Sequence, residues 1–161
     1  RRRDKKTEEA KIASDAHERL LFNLSVVHFL LPALLFNTEI LWLIVGLPML
    51  ISTGFVVSIM RRAGRRQQPD LIHAHWLLAW RRSRYLLLSY LVSLILFFTG
   101  WLFLMLQPDE VMRGIQLAVV GWFSLLPISL TIVLLLILET ASLAQSRQGM
   151  MPKQITWWFK A

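Results

Sequence analysis

The sequence predicts an all-α integral membrane protein with four transmembrane helices and an interfacial or extended helix before the third. Three observations predict it. Of 161 residues, 55% are hydrophobic and 17% charged, against roughly 45–50% and 25% in soluble domains. The apolar residues are gathered into four runs at 20–36, 40–60, 85–106 and 115–138. Mean hydropathy is +0.51 although the formal net charge is +8, because the basic residues are segregated between the runs.

A hydrocarbon layer about 30 Å thick needs about 20 helical residues, so the last three runs span comfortably and the first is short. The segment 1–19 is a basic cytoplasmic leader of mixed charge that can form a helix. A cleaved secretory signal is the other reading of leader plus first run. The long mixed-charge leader and the lack of a small-residue cleavage site argue against it. The first run contains Asn23, Ser25 and His28 and pairs with the second through a tight hairpin at 37–39. Thr38 or Asn37 is placed to cap the second helix, with Glu39 in its positive first turn.

The basic residues predict the orientation. Seven lie in the leader, seven in the connection 61–84, three in the tail 144–161, and Arg113 alone lies between the third and fourth runs. Positive charge is retained on the cytoplasmic side. Both termini and the central connection are therefore expected in the cytoplasm, with a bacterial inner membrane as the expected location. The residues 20–143 form the transmembrane domain.

In the connection, Arg61, Arg62, Arg65, Arg66, Arg81, Arg82 and Arg84 are expected at lipid headgroups, which attract each by about 1 kcal/mol. "RRAGRR" lacks the helix-turn-helix or zinc-finger context that presents basic side chains to a groove, so no nucleic-acid partner is expected. Pro69 and Asp70 mark a helix start. Continued to residue 106, that helix is about 55 Å long, so part of it must lie outside the hydrocarbon. Trp76, Trp80 and then Tyr85 are placed as interfacial anchors.

Metal and cofactor readings are weak. The chain has no cysteine, and at 100° per residue His73 and His75 point to nearly opposite helix faces. Only His28 lies inside an apolar run, so an intrachain haem pair is not expected. No cofactor, metal or catalytic residue is assigned. An ionisable group in hydrocarbon needs a partner or water, which singles out His28 and Glu139. They are expected as intramembrane polar packing, placed to meet about 12 Å and 6 Å from one boundary. Pro32, Pro48 and Pro127 can bend their helices, and Gly46, Gly54, Gly100 and Gly121 permit close helix approach.

The order of a short first helix, "GLPML", a basic loop and "PDLIHAHWLLAW" resembles the small bacterial four-helix membrane proteins related to the chloroplast inner-envelope import translocon. The matching positions are Pro69, Asp70 and His73 or His75, and the resemblance covers about half the chain. It implies a non-enzymatic membrane protein beside a protein-conducting machine.

There is no glycine-rich phosphate loop, nucleophile elbow or metal-ligand cluster, so no enzyme activity is expected. The expected function is a non-catalytic polytopic subunit that assembles with and stabilises a larger membrane complex, with the lipid bilayer and other membrane subunits as partners. The cytoplasmic aromatic tail offers Trp157, Trp158 and Phe159 for partner or interface docking. The alternatives are a small homo-oligomeric transporter or channel component, and a cofactor-bearing electron-transfer subunit.

Overall fold

The computed structural model describes residues 2–66 and 69–155, the side chains of residues 2 and 3 aside. All regular structure among them is helical. Trp157, Trp158 and Phe159 lie outside the described residues.

Helix α1 (Arg2–Phe22) carries the charged leader straight into the first apolar run. Its buried residues Ala10, Ala13, Ser14, His17 and Leu20 recur at three- and four-residue steps and so share one face. From Asn23 to Leu30 the helix widens into a π-helical segment, and two local features favour the wider turn. His28 Nδ1 donates to the Asn23 carbonyl, five residues back, at 2.8 Å. Pro32 lacks the N–H that would bond the His28 carbonyl in an α-helix.

Helix α2 (Leu31–Leu35) and a 3-10 turn at Phe36–Thr38 complete this arm. Glu39 then takes a left-handed φ of 57° and reverses the chain. It belongs to the turn, which corrects its expected place in the next helix. Helix α3 (Leu41–Ala63) starts after Ile40 without a side-chain cap, while Thr38 Oγ1 donates back to Leu35 O at 2.7 Å.

Helix α4 (Asp70–Leu104) runs unbroken for 35 residues, about 52 Å. The stretch before the third apolar run is therefore an extension of that helix. Helix α5 (Glu110–Arg147) is 38 residues long. Asp109 Oδ1 accepts the Val111 and Met112 amides at 2.9 and 3.1 Å, satisfying orphan donors at its start. At its end Gly149 has φ 67°, Gly149 N–H bonds Ser146 O and Met150 N–H bonds Gln145 O. That pair of bonds is a Schellman stop.

The chain forms two compact units, one of residues 1–83 with 135–161 and one of residues 84–134. In the first, α1, the π-helical segment, α2 and α3 pack together, and Asn23 Nδ2 donates to Ser52 Oγ at 2.8 Å. In the second, the outer parts of α4 and α5 form a hairpin. A Cβ added at Gly100 would lie 2.5 Å from Val120 Cγ1, so glycine is needed for this approach. Four helical stretches, Asp4–Thr38, Leu41–Ala63, Asp70–Leu104 and Glu110–Arg147, are long and apolar enough to cross a membrane.

Candidate functional site

The first unit encloses a polar cluster. His17 comes from α1, His75 and Arg82 from α4, and Glu139 and Ser142 from α5. Each sits on its helix's buried face: His17 follows Ala10 and Ala13, His75 and Arg82 share the stripe of Ala79 and Leu86, and Glu139 leads Ser142 and Ser146. Alanine and serine let the helices approach closely enough for side chains to meet. His17, His75 and Glu139 are fully buried, and Arg82 is 7% exposed.

The bonds form a chain. Arg82 Nη1 reaches Glu139 Oε1 at 2.8 Å, Ser142 Oγ at 2.9 Å and the Leu138 carbonyl at 2.9 Å. The other Glu139 oxygen, Oε2, lies 2.6 Å from His17 Nδ1. His17 Nε2 lies 2.8 Å from His75 Nδ1, the rings meeting nearly edge-on at 88°. His75 Nε2 ends the chain by donating to the Met150 carbonyl at 3.0 Å.

Counting hydrogens fixes the charge of this chain. Its two ends, a carbonyl and the carboxylate bridged to Arg82, only accept. Three links therefore need three protons, whereas two neutral imidazoles carry two. The histidine pair holds one extra proton. Burial first, then the charge of His17, pushes the His75 imidazole down to about 4. Arg82 and Glu139 pair within this cluster, as buried charges must to offset their desolvation.

Trp76, fully buried, lies beside this cluster. The Arg19 and Arg62 guanidiniums lie 5.5 and 4.7 Å from its ring centroid, within cation–π range. The tryptophan thus joins α1, α3 and α4.

The residues expected at headgroups divide into two groups. Arg61, Arg65, Arg66, Arg81, Arg84 and Tyr85 are exposed, and Trp80 is partly so. Trp76 and Arg82 are corrections, since both are buried inside the chain: Arg82 neutralises Glu139, and Trp76 is covered by arginines. Arg62 is half-buried against that ring. The expected meeting of His28 and Glu139 is also corrected. Glu139 bonds His17 and Arg82, and His28 bonds within its own π-helical segment.

His75 and His73 diverge as helical geometry requires, with His75 in the cluster and His73 half-buried elsewhere on α4. Burial first, then Arg66, lowers the His73 pKa, against the opposing pull of Asp70. The sequence reading missed His17 and the pairing role of His75. A signal was present in the Ala10, Ala13, His17, Leu20 stripe, which marks a face too apolar for a solvated leader. A second lay in Glu139, which is the only carboxylate after Glu110 and so needs a distant cation. Among the described residues no group of three or more His, Cys, Asp or Glu is placed to hold a metal ion, and the cluster's nitrogens and oxygens are strung in a line. Compared with protein-family models, curated proteins and solved structures, the chain matches none.

Proposed function

We propose that the chain is a non-catalytic, polytopic membrane subunit that assembles with and stabilises a larger membrane protein complex. The observation that carries this is how polar and apolar groups are distributed. The buried charges are satisfied within the chain, while only 22% of the most apolar window of each candidate span is buried inside it. Trp42, Phe103 and Trp122 are each more than 70% exposed. Such faces suit lipid tails and neighbouring helices, and offer no reactive group to a substrate.

The cluster also supports the proposed orientation, with both termini and the central connection in the cytoplasm of a bacterium. His17 belongs to the leader, His75 and Arg82 to the connection, and Met150 to the tail, the three segments that the basic residues assign to one compartment. Their mutual bonds fasten those segments at one end of the first unit.

A second reading, a small homo-oligomeric channel or transporter component, is favoured by one feature. The π-helical segment inside the first apolar run holds His28, and the fully buried Asn23 leaves its Oδ1 without a donor. Functional sites often use such segments. Purification in mild detergent with mass spectrometry separates the two readings. A stable hetero-complex supports the assembly subunit, and a closed homo-oligomer with ion or substrate flux overturns it.

A further inference from the structure

An open groove of about 350 Å³ is lined by Asp15, Glu18, Arg19, Phe22 and Phe55. The first four recur along one face of α1 at i, i+3, i+4 and i+7, just where the leader gives way to the first apolar run. The Phe22 and Phe55 rings lie 5.6 Å apart and tilted by 38°, forming the apolar end. At the polar end Glu18 is occupied, accepting Ser14 and Arg147 at 3.1 Å each. Asp15 has no hydrogen bond or ion pair among the described residues. Arg19 lies against the Trp76 ring and has no carboxylate partner among them. A half-buried carboxylate and a guanidinium four residues apart thus face one groove without pairing with each other.

Resting on the membrane reading above, we propose that this groove holds a phospholipid with a primary ammonium headgroup, of the phosphatidylethanolamine class. The order of groups along α1 matches the order in that lipid. Phe22 and Phe55 meet the acyl chain, Arg19 meets the phosphate next to it, and Asp15, about 6 Å further out along the helix, meets the ammonium. Phosphatidylglycerol would leave Asp15 facing a lipid of its own sign. Phosphatidylcholine brings a cation with no N–H to donate. The primary ammonium alone of these makes a charge-assisted hydrogen bond to the carboxylate.

The test is native mass spectrometry of the full chain, purified from membranes in mild detergent, with phosphatidylethanolamine, phosphatidylglycerol or phosphatidylcholine added in turn. Phosphatidylethanolamine is expected to be retained about tenfold better than the other two, the scale of one charge-assisted bond. Asp15→Asn, which breaks no bond in the fold, is expected to abolish that preference, and Arg19→Lys to weaken retention of all three. Equal retention of the three lipids by the parent chain, or an unchanged preference in Asp15→Asn, overturns the proposal. Carbonate washing of the same membranes tests the underlying reading separately. A chain that stays in the pellet but shows no headgroup preference loses only the lipid site, whereas one that washes off loses both.

Discussion

His17 Nε2 and His75 Nδ1 stand 2.8 Å apart although 58 residues separate them in the chain, and the proton between them is the third of three that the cluster needs. The pair works only as a link in a longer chain, with Glu139 on one side and the Met150 carbonyl on the other. Removing a member leaves a buried charge without its counter-charge, which typically costs about 3–5 kcal/mol. Glu139→Ala strands the Arg82 charge, takes away the partner of His17 Nδ1 and is expected to destabilise by that amount. Thermal unfolding in detergent, followed by tryptophan fluorescence, measures it. A change under about 1 kcal/mol would mean the bonds are no stronger than a surface pair.

Acid is expected to weaken the fold through His75. It lies ahead of the 85–106 run, and its pKa is held near 4 in the folded chain against about 6.5 when unfolded. As pH falls through 6.5 the unfolded state takes up a proton that the folded state refuses. Stability from this group is therefore complete above about 6.5 and is lost progressively down to about 4. His73 is shifted in the same direction, so the informative comparison is between parent and variant. A glutamine at position 75 can accept from His17 and donate to Met150 without titrating. His75→Gln should flatten the pH dependence of unfolding between 4 and 6.5, and an unchanged slope would refute the assignment.

How much of this was legible in the sequence follows from the range of each interaction. Hydropathy places four runs, and the structure has four helical stretches over them, because helix formation and apolar length are local properties. A helix starting near Asp70 was also legible, but whether it lay apart at the interface or ran on into the third run stayed open. The structure shows it running on to Leu104. The cluster was not legible, because the partner of Glu139 lies 122 residues away at His17 and local spacing carries no such information. Trp76 shows the same limit. Near a run of arginines, a tryptophan reads as a headgroup anchor, and only the fold shows that Arg19 and Arg62 come to cover it. The hairpin near Glu39 was placed correctly, but its left-handed residue displaced the helix start.

Within the second unit, Gly100→Ala is expected to separate the outer parts of α4 and α5. The added Cβ meets Val120 Cγ1 at 2.5 Å, a branched side chain with few rotamers to retreat to. Overpacking of this kind costs about 1–3 kcal/mol. Shortening the opposite side chain should relieve it, so Gly100→Ala with Val120→Ala is expected to be more stable than Gly100→Ala alone. A double-mutant cycle on thermal unfolding measures the coupling, and strictly additive effects would exclude the contact as the cause.

The proposed orientation is open to direct chemical labelling, because the chain has no cysteine and any introduced thiol is the sole target. Asn37 and Pro108 are exposed in the two short turns, and Arg65 and Gln148 are exposed beyond α3 and at the end of α5. Each is replaced singly by cysteine and expressed in a bacterium, and intact spheroplasts are treated with a membrane-impermeant maleimide. Asn37→Cys and Pro108→Cys are expected to label without lysis, and Arg65→Cys and Gln148→Cys only after it. The retention of arginine and lysine on the cytoplasmic side predicts this division, and the cluster supports it by bonding leader, connection and tail residues to one another. Labelling of Asn37→Cys and Arg65→Cys under the same condition would place both ends of α3 in one compartment, and neither the spanning role of that helix nor the assembly reading would survive it.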